Sequence, residues 1–371
     1  MNDIILKLIQ VIRSIREQEE KQQKVSEGIL ANLDALLRKL KIAARPGGPK
    51  DIGFFGAMSR GKSSLINELL GCDLMPVASG QTTSVVIKVR HKERQAGEPC
   101  YKITIVEKGG KRESFEASTS EDAQNILQVF GARKGNGGDA VDHIEVDGAF
   151  PDSKILKIGG VLVDTPGAEA AFAQDSHVQN HVQNDKDQKR AEKILENTDV
   201  ILFVEGADYM GSANSSEFFK SKLDTFKPLI VVNKKDKFSP EMQDAQNASE
   251  EMIELAKINQ IKNHVLTIYH SNVSVCVSCK DAKEARKKGN ENLLNRSRMP
   301  DLESLICNTF EKLKPENIAL LVMEELDDII GQVDDKRNFF RPARQQFFNI
   351  SQGTSDANVM RKADEMYHKY I

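Results

Sequence analysis

The stretch GFFGAMSRGKSSLINELLG, Gly53 to Gly71, constrains this chain more than any other. Ile52, Phe54 and Phe55 form an apolar run that ends at Gly56-Ala57-Met58-Ser59-Arg60-Gly61-Lys62-Ser63, after which Leu65, Ile66, Leu69 and Leu70 recur at helical spacing. The order is strand, glycine-bounded loop, helix. In that order the loop N–H groups and the positive helix terminus converge on one point, which suits a phosphate. Gly56, Ser59, Arg60, Gly61, Lys62, Ser63 and Ser64 are therefore candidate nucleotide ligands. Lys62 is expected at the outer phosphates and Ser63 on a magnesium ion (Mg2+).

Three later motifs end further strands in the order that a nucleotide site requires. In Val161-Leu162-Val163-Asp164-Thr165-Pro166-Gly167, Asp164 can hold magnesium, and the Gly167 N–H can sense a γ-phosphate. In PLIVVNKKDK, Asn233, Lys234 and Asp236 follow the strand; an Asp there accepts from guanine N1 and N2 but finds no such donors on adenine, while the Lys234 stem covers the ring. Ser278, Cys279 and Lys280 in VSCKD can offer a backbone N–H to guanine O6. Each motif is short, but four in sequence order predict a domain that binds GTP and GDP.

Around these motifs the 371 residues divide into three zones. Residues 1–48 read as a helical arm, with Ile5, Leu8, Ile12 and Ile15, then Ile29, Leu33, Leu36 and Leu40, at three-and-four spacing before RPGGP. From 49 to 299, strands such as VVIKVR, YKITIVE, HIEV, DVILFVEG and VSVCVS alternate with helices, the α/β signature. Residues 300–371 return to helix, with Val322, Leu326, Ile329 and Val333 as one stripe. Lys62 and Asp164 stand 102 positions apart, so a sizeable insertion separates the two motifs.

Composition narrows the partners. A net charge of −3 without long single-sign runs argues against nucleic acid, leaving local basic patches free to touch anionic lipid. The start lacks a secretory pattern and no stretch is long enough to span a bilayer, so the expected location is cytoplasmic. Five scattered cysteines read as reduced thiols, and Cys276 and Cys279 as ordinary strand thiols rather than a redox pair. His177 and His181 share a helical spacing but lack a third ligand or a nearby Glu base, which favours a polar loop.

The run RGKSSLINELLGCDLMPVASGQTTSVVIKVR, followed by GGVLVDTPG and NKKD, resembles the GTPase domain of bacterial dynamin-like proteins over roughly residues 50–300. Among these, the LeoA type, linked to toxin secretion and membrane vesicles, is similar. The resemblance implies an enlarged P-loop GTPase domain, its sheet mostly parallel with helices on both faces, flanked by N- and C-terminal helices in a bundle. It implies that Thr83, or in the other register Thr82, is the switch threonine that coordinates magnesium and orients the attacking water. Dynamins carry Gln and Ser in the phosphate loop; Met58 and Ser59 stand here, and Met58 lacks the amide. Arg60 is open to two readings, an arginine finger in cis or a solvated loop side chain. A homodimer across the GTPase face, peripheral contact with a lipid membrane surface and arms that swing on hydrolysis are further implications. A regulatory or ribosome-assembly GTPase, or a GTP-binding scaffold with little hydrolysis, would share the four motifs.

Overall fold

The computed structural model describes residues 2–22, 26–47, 50–56, 59–77, 85–95, 97–131, 141–165, 193–209, 226–240, 249–269, 272 and 274–370. Met58, Thr82, Thr83, Gly167, His177 and His181 lie outside the described residues. The chain forms two compact units. One is Asp51–Lys220 with Pro228–Cys307, and the other is Met1–Lys50, Ser221–Lys227 and Asn308–Ile371.

Among the described residues the first unit is built on a nine-stranded sheet in the order β4 (Arg112–Ala117), β3 (Tyr101–Glu107), β5 (Val141–Gly148), β2 (Val86–His91), β6 (Val161–Asp164), β1 (Asp51–Phe55), β7 (Val200–Gly206), β8 (Leu229–Asn233) and β9 (Val275–Cys276). Its central strands β1 (Asp51–Phe55), β6 (Val161–Asp164), β7 (Val200–Gly206) and β8 (Leu229–Asn233) are buried almost throughout. Continuous apolar runs of this kind mark parallel strands covered on both faces, and β6-β1-β7-β8-β9 (β9 being Val275–Cys276) pair in parallel. From β1 the chain first builds the side containing β6 and then crosses to β7, so the loop after β1 lies where the winding reverses, the usual ligand position in such sheets.

The insertion between Lys62 and Asp164 extends that sheet. Strand β2 (Val86–His91) runs antiparallel to β6 and parallel to β5 (Val141–Gly148), and β3 (Tyr101–Glu107) and β4 (Arg112–Ala117) add an antiparallel edge. Here the pattern alternates: Ile87 and Val89 are buried, whereas Arg90 pairs across strands with Glu145 and Asp147 on the opposite face. The helix Ser120–Gly131 covers the apolar face through Ala123 and Leu127, and its Phe130 ring lies 5.2 Å from that of Phe115.

The second unit is a helical bundle. Helices α1 (Asn2–Gln22) and α2 (Glu27–Ala43) pack with the helix Pro315–Gly331. Ile5, Leu8, Ile12, Ile15, Leu33, Leu36, Leu40, Val322 and Leu326 are fully enclosed or nearly so. Each contributes roughly 1.5–3 kcal/mol by leaving water, which lets helices that are marginal alone persist. The stripe expected to include Val333 is shorter, because that helix stops at Gly331. Asp327 on it accepts from Lys362 and Lys369, each at 2.9 Å, and from the Tyr370 hydroxyl, and these donors hold its carboxyl down at about 2 against the cost of its burial. The depressed value stabilises the fold above the ordinary carboxylate range, and the gain is lost as pH falls through about 2. Asp327→Asn is expected to cost about 1–2 kcal/mol at pH 7 and far less near pH 2, read from urea midpoints at the two pH values. Among the described residues no helix is long and apolar enough to cross a membrane.

Candidate functional site

Gly56 leaves β1 with φ 146°, and a Cβ there would collide with the carbonyl of Val204 on β7. Ser59 holds φ 62°, strained for a residue with a side chain, and Gly61 holds φ 90° as the N-cap of the helix Lys62–Leu70. The loop thus turns tightly against the sheet and ends at a helix N-terminus. Lys62, only 8% exposed, donates from Nζ to Gly56 O at 2.8 Å, so its charge lies under the loop.

Ser63 donates to Asp164 Oδ2 at 3.0 Å, joining the first motif to the end of β6. Asp164 is 1% exposed, and its Oδ1 has no hydrogen-bond partner among the described residues. Burial raises its carboxyl to about 6 despite the opposing pull of Lys62 and the Ser63 hydrogen bond. A buried carboxylate oxygen without a donor, on the same carboxyl that meets a serine hydroxyl, is an oxygen donor set suited to magnesium. The neighbouring Thr165 hydroxyl donates to Phe54 O at 2.6 Å and ties β6 to β1.

The solvated reading of Arg60 does not hold. The residue is 3% exposed, with Nε 2.9 Å from Glu205 Oε1 at the end of β7. The buried carboxylate of Glu205 draws the guanidinium inward, since a buried charge needs a partner.

The end of β8 is organised around Asn233. Its Nδ2 donates to the carbonyls of Gly61, at 3.4 Å, and Arg60, at 3.5 Å, while its Oδ1 accepts from the N–H of Lys234, at 2.7 Å, and of Cys279, at 3.4 Å. One buried amide thereby joins the loop before the helix Lys62–Leu70 to the segments after β8 and β9. Lys234 adopts φ 60°, and its Nζ reaches Asp208 at 2.9 Å. Ser278 donates to Asp236 Oδ1 at 2.8 Å and accepts from the N–H of Asp281, capping the helix Cys279–Lys288. Cys279 opens a helix, which the strand reading did not anticipate. Burial nevertheless pushes the Cys276 thiol up to about 11 and the Cys279 thiol higher, so both stay protonated and unreactive near neutrality.

Between the two loops lies a cavity of about 580 Å³, lined among others by Gly61, Ser64, Asn233, Asp236, Cys279 and Lys280. Lys62, Ser63 and Asp164 do not line it; Lys62 and Asp164 are buried and Ser63 half-buried. Glu205, Asp208 and the Lys235 partner Glu254 carry no signal in the sequence. Acidic residues outside any motif carry no signal of their own; only the fold brings them to the loops.

A protein of Caldicellulosiruptor sp. (strain Rt8B.4), described as an uncharacterized protein in the xynA 3′ region, is 24% identical over 280 residues, which cover 74% of this chain and 60% of that one. The isoniazid-induced protein IniC of Mycobacterium tuberculosis is 28% identical over 130 residues, 35% of this chain and 23% of IniC. The chain thus spans less than two thirds of either relative. Two solved structures of an oligomerised bacterial dynamin pair, described as a mechanism for long-range sensing and tethering of membranes, align with 99% of this chain and 63% and 64% of theirs, at 14% and 15% identity and TM-scores of 0.43 and 0.44. Residues 52–236 match the model of the dynamin family. That span runs from β1 to Asp236 and takes in the loop, Asp164 and Asn233; by this match the chain belongs to the dynamin family.

Proposed function

We propose that this protein binds guanine nucleotides and hydrolyses GTP at the cavity between Gly61 and Asp236, as a dynamin-like protein working at membrane surfaces. The observation that best supports the reading is the Asn233 bridge, which ties Gly61, just before the helix Lys62–Leu70, to Lys234 and Cys279 beside one cavity. In the proposed reaction a water oxygen attacks the γ-phosphorus in line, the bond to the β-phosphate oxygen breaks, and GDP and phosphate leave with the proton of the water. Lys62 moves from Gly56 O to the outer phosphates and offsets their growing charge. Ser63, Asp164 and the switch threonine, Thr83 by the sequence register, would hold magnesium, which supplies charge neutralisation at the phosphates when bound. We assign Arg60 to holding the loop through Glu205. The Gly167 N–H is assigned to the γ-phosphate. Domain limits of 1–48, 49–299 and 300–371, a homodimer across the nucleotide face and peripheral membrane contact complete the proposal.

Competition decides the base. GTP should displace a labelled guanine nucleotide far better than ATP does. Asp236→Asn should weaken GTP roughly a hundredfold or more while admitting xanthine nucleotides, whose donor and acceptor are reversed at that contact. Equal displacement by ATP and GTP sinks the guanine assignment. Co-sedimentation with anionic liposomes tests the membrane arm.

A further inference from the structure

Two helices reach the nucleotide cavity with their first turns. The helix Lys62–Leu70 is capped by Gly61 and places Ser64 in the cavity wall, and the helix Cys279–Lys288 places Cys279 and Lys280 there. Asn233 joins the two at that end, through Gly61 O and the Cys279 N–H. A second joint lies further along. Glu68, six positions beyond Lys62, is paired with Nη1 of Arg286, seven positions beyond Cys279. At 1.5 Å per residue both stand about 9–11 Å from the ends that meet the cavity.

The partners differ in exposure. The Glu68 side chain is 7% exposed and that of Arg286 39%, so a guanidinium at the surface reaches a carboxylate held inside. Burial pushes the Glu68 carboxyl up, against the pull of Arg286 and Lys283. Beside it, Lys283 Nζ lies 2.7 Å from both oxygens of Asp73 and repeats the link. That pair is half-exposed and contributes less.

We infer that Arg286 is a positioning residue: its pair with Glu68 fixes the angle between the helices Lys62–Leu70 and Cys279–Lys288, so that both ends of one guanine nucleotide are met at once. The inference rests on the GTP-binding reading given above. A single joint at Asn233 leaves the helices free to rotate about it, and a second joint removes that freedom. A ligand that touches both helices gains from the fixed spacing, because its second contact costs little further ordering. A ligand that touches only one gains nothing.

Whole and half ligands separate these cases in the full chain. Arg286 does not line the cavity, so a substitution there leaves both walls their own side chains. In Arg286→Met, the affinity for GDP measured by calorimetry is expected to fall roughly tenfold, the scale of one hydrogen bond between charged groups. Inorganic triphosphate and guanosine, each of which reaches one end alone, should bind as they do to wild type in ligand-observed NMR titrations. Arg286→Lys keeps a charged donor and should recover most of the GDP affinity. Arg286→Gln, neutral but polar and a smaller perturbation of the fold, should show the same split as Arg286→Met, which keeps the test alive if the methionine variant does not fold. Undiminished GDP affinity in the neutral variants, equal weakening of the half ligands, or a lysine variant as weak as the methionine one overturns the inference. A wild type that binds neither GDP nor guanosine refutes instead the guanine reading, and the inference with it.

Discussion

Lys62→Ala is expected to lower GTP turnover roughly a thousandfold or more, the scale set by single cationic groups at a transferring phosphoryl. The side chain is already buried beneath the loop, with its ammonium on Gly56 O. Phosphate entry exchanges that carbonyl for phosphate oxygens, so little ordering remains to be done at binding. Alanine removes the charge and also leaves the Gly56 carbonyl without this donor. Affinity for GTP and GDP should both fall, measured by calorimetry, whereas Thr83→Ala should retain bound nucleotide and lose phosphate release. If Thr83→Ala turns over normally and Thr82→Ala does not, the switch register shifts by one.

The second large effect is a trade between stability and activity at Asp164. Its carboxyl sits at about 6, above the ordinary 3.8, because burial disfavours the ionised form. Between those two values the folded protein holds a proton that the unfolded chain releases, so stability in the absence of metal falls as pH rises from about 4 to about 6 and stays reduced above. Asp164→Asn removes that penalty. Metal-free, it should gain up to about 3 kcal/mol at pH 8 and almost nothing at pH 4, visible in melting temperatures at the two values. The same variant should lose magnesium-dependent turnover. A metal-free melt at pH 8 no higher than wild type would contradict the burial of a charge at this position.

Much of this was legible in the residues. The central strands announced themselves because burial on both faces leaves continuous apolar runs such as VLVD and VILFVEG. Strand β4, RESFEA, gives little sequence signal, since an exposed edge strand is polar on both faces and leaves only Phe115. At the site, the four motifs carried their own labels. The inward turn of Arg60 did not, because it depends on Glu205, 145 positions later and outside any motif.

The place of β1 in the sheet has a consequence during synthesis. Phe54 is paired on one side with Asp164 of β6 and on the other with Leu202 of β7, so neither edge of β1 finds its neighbour until more than a hundred further residues have been made. At ribosomal speeds that is a wait of roughly 5–20 s, during which an apolar strand with two open edges is available to any other chain. The nucleotide pocket can close only later still, when Cys279 emerges and meets Asn233. Cellular yield of this protein should therefore respond to chaperone supply and translation rate more steeply than the stability of the finished fold would suggest.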